Sequence, residues 1–156
     1  MKGIFSVLVE NRDGVLSAVS GLFARRGFNI DTLAVGETDK HDISSMTITS
    51  TGDQRTIDQI EKQLNKNVDV IKVRRLSESK SICIEMILVK VSYNMTNRSS
   101  LIELCQVVGA RIMKVAPKHL LIEYHEDPEA VEGFIDLLRT YGIIEIQRTG
   151  TIAMEK

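Results

Sequence analysis

Apolar positions follow two periods in the first half of the chain, one typical of strands and one typical of helices. An apolar run over Ile4–Val9 predicts a buried strand. The next apolar residues recur at helical spacing up to a stop at Gly27, and they are Val15, Leu16, Val19, Leu22 and Phe23. A second helix, capped by Asp53, is predicted from Ile57, Ile60 and Leu64. The remaining predicted strands are Phe28–Gly36, Ser45–Thr51 and Val68–Leu76, which gives the order βαββαβ.

The same order returns after a short polar segment. Residues 77–81 contain no apolar side chain and indicate a linker. Beyond it, helices are predicted around Leu101, Ile102, Leu104, Cys105 and Val108, and from Asp127-Pro128 to Gly142. The predicted strands are Ile82–Val91, Ala110–Ala116, His119–Tyr124 and one from Ile143 to Ile146 that extends toward Ile152. The sequence therefore predicts an α+β protein with two tandem βαββαβ, ferredoxin-like domains, at residues 1–76 and 82–156.

The second predicted strand of the first domain, Phe28–Gly36, lies at a sheet edge in this topology. It contains no Pro and no Lys, and Asp31 is its only charged residue. Because unprotected strand edges tend to pair with another chain, we predict a homodimer in which this strand pairs with its symmetry mate. Such pairing places Asn29 near the interface, where it can approach the Asn11–Gly14 turn.

The first strand ends in a polar turn, within Val9–Leu16, that opens the first helix. Backbone N–H groups at a helix start lack intrahelical partners, and the helix dipole favours an anion there. We therefore predict a place that holds a small carboxylate. Asp13 is the predicted N-cap, and its side chain would then occupy some of these amides and add a negative charge beside the anion.

Composition and charge narrow the range of functions. Twenty basic residues against twenty-one acidic ones give a net charge of -1, and only 4% of the residues are aromatic, with no Trp. This argues against nucleic acid as the main partner, because phosphate contacts and base stacking need basic and aromatic side chains. The N-terminus lacks signal-peptide architecture, and no apolar run approaches a membrane span. With Cys83 and Cys105 expected to be reduced core residues, we predict a cytoplasmic protein.

No catalytic constellation accompanies the polar turn. His41, His119 and His125 lack metal-ligand spacing with each other or with the cysteines. The stretch from Gly14 to Gly21 lacks the Gly-Lys-Ser/Thr ending of a phosphate-binding loop. No nucleophile–base pair or cofactor motif is present in the sequence. Ligand sensing is therefore favoured over chemistry, and we expect no catalytic residue, metal or cofactor in this chain.

Several blocks of sequence, in order, resemble a known family. The chain is similar to the ACT domain, a small-molecule-sensing module of amino-acid metabolism, in Glu10-Asn11-x-x-Gly14-Val15-Leu16 and in Leu22-Phe23-x-x-Arg26-Gly27-Phe28-Asn29-Ile30. It more closely resembles the small regulatory subunits of acetolactate synthase (acetohydroxyacid synthase, AHAS). The blocks that carry this resemblance are Met46-Thr47-Ile48, Gln59–Lys66, Val68-Asp69-Val70, Leu88–Val91, Gly142-Ile143 and Arg148-Thr149-Gly150.

The resemblance implies a non-catalytic partner of a large subunit that uses thiamine diphosphate, Mg²⁺ and FAD. That subunit condenses pyruvate with pyruvate or 2-oxobutyrate in branched-chain amino-acid biosynthesis. The small subunit would activate it and confer feedback inhibition by an end product, usually valine. Members of this family bind the effector at the dimer interface of the first domain. The matching positions are Asn11, Gly14, Val15 and Leu16 of one chain, with Asn29 and Ile30 of the other.

These positions suit a zwitterion with an aliphatic side chain. The N–H groups of Gly14, Val15 and Leu16 would bind the carboxylate, and a side chain at Gly14 would either fill that space or forbid the backbone conformation. Asn11 and Asn29 each offer a donor and an acceptor. Leu16 and Ile30 would form the apolar wall.

Two other functions share this fold. The first is a stand-alone amino-acid-sensing ACT regulator without an enzyme partner, and co-purification with a thiamine-dependent synthase distinguishes it from the leading hypothesis. The second is an RNA-binding module of the same topology. The predicted strands lack the aromatic, Lys/Arg-Gly-rich signature of that module, which disfavours it.

Overall fold

The computed structural model describes all residues from Met1 to Lys156. The first repeat contains β1 (Lys2–Glu10), α1 (Val15–Arg25), β2 (Thr32–Glu37), β3 (Ile43–Thr51), α2 (Gln54–Lys66) and β4 (Val70–Leu76). A 3₁₀ turn (Glu78–Lys80) leads to β5 (Ser81–Ser92), α3 (Arg98–Val108), β6 (Arg111–Val115), β7 (His119–Glu126), α4 (Pro128–Arg139), β8 (Ile143–Arg148) and β9 (Ile152–Glu155). The predicted α+β class and the two tandem βαββαβ, ferredoxin-like repeats are confirmed.

The first sheet has the strand order β2-β3-β1-β4, and each pair of neighbours is antiparallel. Alternation along β1 turns Phe5, Val7 and Val9 toward the two helices, where they form the core with buried residues of α1, β3 and α2. The helix α2 begins at its predicted cap, since the Asp53 carboxylate accepts a hydrogen bond from the N–H of Thr56 at 2.7 Å.

The second sheet repeats this plan in the order β6-β7-β5-β8. Ile87, Val89 and Val91 of β5 face the helices and pack in a core with buried residues of α3, β7 and α4. The helix α4 starts as predicted, with Pro128 in its first turn and the Asp127 carboxylate accepting from the N–H of Ala130 at 2.9 Å.

The edge strand β2 lies at the predicted edge but not at the predicted residues. The prediction of a strand over Phe28–Gly36 is wrong at its start, because β2 begins only at Thr32. The N–H of Phe28 bonds the carbonyl of Phe23 at 2.9 Å, and the two rings meet edge to face at 6.4 Å. Residues 28–30 therefore close the end of α1 and do not extend the sheet.

The compact units differ from the predicted domain boundaries at the C-terminus. One unit comprises Met1–Cys83 together with Gly150–Lys156, and the other comprises Ile84–Thr149. The terminal strand β9 lies on the face of the first sheet opposite α1 and α2, where the N–H of Ala153 reaches Thr47 Oγ1 at 3.4 Å. An ion pair of 3.1 Å joins Arg74 to Glu155. This strand lies against the face of the first sheet that a βαββαβ unit alone would leave exposed.

The family-like block Arg148-Thr149-Gly150 anchors the end of β8 and turns the chain. Arg148 forms a 2.7 Å ion pair with Glu85, a carboxylate only 2% exposed, and these carboxylate contacts raise the pKa of the guanidinium. The Thr149 hydroxyl accepts from the N–H of Met86 at 3.0 Å. Gly150 has a φ of +79°, and an added Cβ would lie 3.3 Å from the Thr32 Cβ. Glycine thus permits both the turn and its close approach to β2.

Both cysteines are free thiols, with Cys105 buried in the second core and Cys83 half-buried. Burial raises the pKa of each thiol and disfavours the reactive thiolate. None of the four helices combines the length and the apolar character that crossing a membrane requires.

Candidate functional site

The turn between β1 and α1 has the geometry of an open helix start. Gly14 occupies the N-cap position with φ +85° and ψ -9°, and no side chain caps the helix. The predicted role of Asp13 as N-cap is therefore wrong. Its side chain accepts no hydrogen bond from the helix amides, because the left-handed conformation at Gly14 moves the cap one residue along the chain.

The first amides of α1 are consequently available to a ligand. The N–H of Val15 has only a long contact of 3.5 Å with the Arg12 carbonyl, and the N–H groups of Leu16 and Ser17 have no acceptor. By contrast, the start of α2 is occupied by Asp53, whose pKa is lowered by the hydrogen bond from Thr56. Unpaired amides at the positive end of a helix dipole can donate hydrogen bonds to a carboxylate.

The backbone conformation at Gly14 favours glycine. A Cβ built on Gly14 would meet no atom within 4 Å. The φ of +85°, however, lies in the region that L side chains rarely adopt. Of the two reasons anticipated from the sequence, the structure supports conformational restriction, and the need for space beside a bound carboxylate stays a prediction.

Asn11 is held firmly beside this helix start. Its backbone N–H bonds the carbonyl of Asp42 at 2.8 Å. Its side-chain amide Nδ2 donates to the carbonyl of His41 at 2.8 Å and to Glu37 Oε1 at 3.3 Å. Asn11 is thus tied to the hairpin that connects β2 with β3, and its Oδ1 accepts no hydrogen bond.

The apolar residues at the predicted site have different roles in the packing. Val15 is buried in the first core, so only its backbone can face a ligand. Leu16 is 47% exposed and stands beside the unpaired amides. Ile30 is half-buried and packs against the same core from the loop before β2. Leu16 and Ile30 can therefore serve as apolar walls, whereas the side chain of Val15 cannot.

Asn29 lies at the opposite end of the sheet from the turn within one chain. It precedes β2, whose first residue Thr32 is aligned through β3 with Ile4 near the start of β1. Asn11 instead follows Glu10 at the end of β1, six residues further along. At about 3.3 Å per residue, the two asparagines are separated by about 20 Å along the strands. One chain alone does not bring the predicted site residues together.

The loop that carries Asn29 is nevertheless well ordered by hydrogen bonds. Asn29 Nδ2 donates to Asp31 Oδ1 at 2.7 Å, and Asp31 Oδ2 accepts from the Thr51 hydroxyl at 2.6 Å. The Asn29 carbonyl accepts from the Ser50 hydroxyl at 2.6 Å. One side-chain N–H and the Oδ1 of Asn29 remain available to a ligand.

The structure adds Glu37 and the carbonyl of His41 to the residues that sequence reasoning identified. Both belong to the β2–β3 hairpin and contact the Asn11 amide. The predicted topology could have indicated both residues. In it the second strand runs parallel to the first, so the residues after the second strand lie near the Asn11 turn that follows the first. No group of His, Cys, Asp and Glu side chains in the chain is arranged to hold a metal ion.

Comparison with known proteins identifies the family. Residues 5–72 match the family model of the AHAS small subunit-like ACT domain, and residues 84–156 match that of the small subunit of acetolactate synthase. The chain is 46% identical to the probable acetolactate synthase small subunit of Archaeoglobus fulgidus over 154 residues, which cover 99% of this chain and 96% of that protein. It is 42% identical to the acetolactate synthase small subunit of Mycolicibacterium smegmatis over 97% of this chain and 89% of that protein.

A solved structure extends the likeness to three dimensions. The crystal structure of the acetolactate synthase small subunit from Thermotoga maritima matches with a TM-score of 0.92 and 37% identity. The match covers 100% of this chain and 98% of that one. The chain therefore belongs to the family of acetolactate synthase small subunits, and its first repeat is an ACT domain.

Proposed function

We propose that the protein is a regulatory subunit that binds a branched-chain amino acid and adjusts the activity of a catalytic large subunit of acetolactate synthase. The observation that supports this most is the uncapped start of α1 in an ACT domain of this family. That start offers amides for a carboxylate beside a fixed asparagine, and no catalytic group stands near it. In this proposal, thiamine diphosphate, Mg²⁺ and FAD belong to the catalytic partner.

A homodimer completes the site in this proposal. The strand β2 is an edge strand whose only charged residue is its last, Glu37. Antiparallel pairing of β2 with its symmetry mate reverses the strand direction across the interface. The Asn29 end of one chain then faces the Asn11 end of the other, which removes the separation of about 20 Å within one chain.

The carboxylate, the ammonium group and the side chain of the ligand each have a partner in the proposed site. Its carboxylate binds the unpaired N–H groups of Leu16 and Ser17, with Gly14 and Val15 shaping the turn. Its ammonium group meets amide oxygens, and its aliphatic side chain lies between Leu16 and Ile30. A pocket of this kind separates ligands that differ by one methylene by about 1–3 kcal/mol. Valine is the proposed effector, with leucine and isoleucine as the competitors to compare.

Regulation follows from the position of the site. A ligand bound between two chains contributes binding energy only when the dimer adopts the geometry that closes the site. The catalytic subunit need only interact differently with the two dimer geometries for binding to change its rate. Coupling of this kind is typically about 1–3 kcal/mol, or about 5- to 150-fold in affinity.

Reconstitution tests the proposal directly. Acetolactate formation by the candidate large subunit is measured alone, with this protein, and with this protein plus valine, leucine or isoleucine. We expect activation by the protein and inhibition by at least valine. If the dimer binds an amino acid but neither associates with the large subunit nor alters its rate, a stand-alone regulator is the correct function. If it binds none of the three, the sensing role is wrong.

A further inference from the structure

The side-chain amide of Asn11 donates to two hydrogen-bond acceptors. Both hydrogens of Nδ2 are used, one by Glu37 Oε1 at 3.3 Å and one by the His41 carbonyl at 2.8 Å. A carboxylate and a carbonyl can accept but cannot donate, so the reversed amide would place its oxygen against two other oxygens. The orientation of the amide is thus determined by its neighbours, and Oδ1 is the only polar atom of the side chain left for a ligand.

We propose that Glu37 is a positioning residue that makes Asn11 an acceptor-only group and so directs it to the ammonium of the effector. An unrestrained asparagine would bind a carboxylate and an ammonium almost equally well, because it carries both a donor and an acceptor. With its donors engaged, Asn11 favours a cation donor and repels a carboxylate. This inference rests on the proposed effector site and assigns the orientation of the ligand within it.

The geometry of Glu37 supports this role. The carboxylate is itself oriented, since its Oε2 lies 3.1 Å from His41 Nδ1 while its Oε1 accepts from Asn11. Glu37 is also the last residue of β2, the edge strand that pairs across the proposed dimer. A change at that edge would therefore move the group that orients Asn11. The unpaired amides of α1 complement it, because they offer only donors and must bind the carboxylate.

A ligand without its ammonium tests the assignment. Valine and 3-methylbutanoate share the carboxylate and the branched side chain, but only valine carries the ammonium. NMR titration of the homodimer with each compound gives the two dissociation constants and their ratio. For the wild-type protein we expect valine to bind at least about tenfold more tightly, since a hydrogen bond to a charged group contributes about 1.5–3 kcal/mol.

Three variants separate positioning from charge and from folding. Glu37→Ala is expected to reduce the preference for valine by about fivefold to tenfold, with little change for 3-methylbutanoate. Glu37→Gln keeps an oxygen that can accept from Asn11 and is expected to restore most of the preference. Asp39→Ala removes an equal charge from the same exposed hairpin, where Asp39 makes no hydrogen bond or ion pair, and should leave the preference unchanged.

Several results would overturn the inference. Equal weakening of both ligands by Glu37→Ala would mean that Glu37 only maintains the turn. Equal loss in Glu37→Gln and Glu37→Ala would mean that the charge attracts the ammonium and that orientation of Asn11 is not involved. If valine binds the wild-type dimer without any preference over 3-methylbutanoate, the effector site remains but its orientation is wrong. If neither valine, leucine nor isoleucine binds, the proposed function is wrong as well.

Discussion

The turn between the first strand and the first helix occupies the same position in the two repeats. Neither helix start has a side-chain cap, but the asparagines of the two turns are hydrogen-bonded differently. Before α3, the turn is closed by its own asparagines. Asn94 Oδ1 accepts from the N–H groups of Thr96 and Asn97, each at 2.9 Å, and Asn97 Oδ1 accepts from the N–H of Asn94 at 2.8 Å. The side-chain oxygens of both asparagines thus accept hydrogen bonds within the turn. Asn97, which precedes α3, has a negative φ of -108°.

Before α1, the asparagine uses its side-chain donors and leaves its side-chain acceptor free. The Asn11 amide donates hydrogen bonds to the β2–β3 hairpin, and its Oδ1 accepts none. Gly14, at the start of α1, has a φ of +85°. The two repeats therefore share a backbone plan and differ in what satisfies the turn. The proposed ligand binding therefore depends on the free acceptor of Asn11 and on Gly14, and the fold alone does not produce it.

The largest expected effect comes from closing the open turn with a carboxylate. Gly14→Asp places a negative charge beside the unpaired amides, which the new side chain can itself occupy. We expect valine affinity, measured by calorimetry on the homodimer, to fall by about 30- to 150-fold, the equivalent of losing one charge-assisted hydrogen bond of about 2–3 kcal/mol. Activation of the catalytic subunit should persist, and loss of both properties together would argue against a separate sensor site.

The second repeat provides the matched control for this change. Gly109, at the end of α3, has a φ of +80° and, like Gly14, open space around a built Cβ. Gly109→Asp therefore imposes a similar backbone strain, about 1 kcal/mol of unfolding free energy. We expect it to leave valine affinity unchanged. A comparable loss of affinity in Gly109→Asp would attribute the effect of Gly14→Asp to folding.

A smaller effect tests whether two chains build the open site. Asn11→Ala is expected to weaken valine binding at least about tenfold, because it removes the hydrogen bond to the charged ammonium, about 1.5–3 kcal/mol. Asn29→Ala is expected to weaken it about fivefold, the loss of one hydrogen bond of about 1 kcal/mol. In a heterodimer of the two variants, one of the two sites carries both substitutions and the other carries neither. Isolated with two different affinity tags, this heterodimer should bind valine at one site per dimer with wild-type affinity.

The heterodimer distinguishes this arrangement from a site within one chain. If Asn11 and Asn29 of the same chain formed the site, each half of the heterodimer would carry one substitution. No wild-type affinity would then return at any stoichiometry. A monomer in solution would contradict the shared site before any ligand is added.

Much of this comparison was available from the sequence. Periodicity predicted both repeats. Asp53 was correctly assigned as a cap and Asp127-Pro128 as a helix start, because an Asp before a helical run satisfies the first free amides locally. The same local rule failed at Asp13. There the chain adopts a left-handed conformation at Gly14, and the sequence does not reveal whether such a glycine follows the cap or replaces it.

The features that sequence reasoning missed depend on residues distant in the chain. Glu37 reaches Asn11 only because two strands end side by side, 26 positions apart in sequence. Strand β9 pairs with β5 and packs on the first sheet although it follows the second repeat, and periodicity assigns no partner to so short a strand. Arg148 likewise matched a family block without a role until its ion pair with Glu85 was located.

The smallest expected effect comes from removing an asparagine of the turn before α3. Asn94→Ala removes the acceptor of two backbone N–H groups in the closed turn and is expected to lower the free energy of unfolding by about 1 kcal/mol in urea denaturation. Valine affinity should not change. Asn11→Ala should differ in its effect on binding. It removes the two Nδ2 hydrogen bonds to the β2–β3 hairpin, with a similar loss of stability of about 1 kcal/mol, and it also weakens valine binding because the ligand loses Oδ1. If Asn94→Ala weakened valine binding as much as Asn11→Ala does, the closed turn would also contribute to the effector response, and the contrast between the repeats would be wrong.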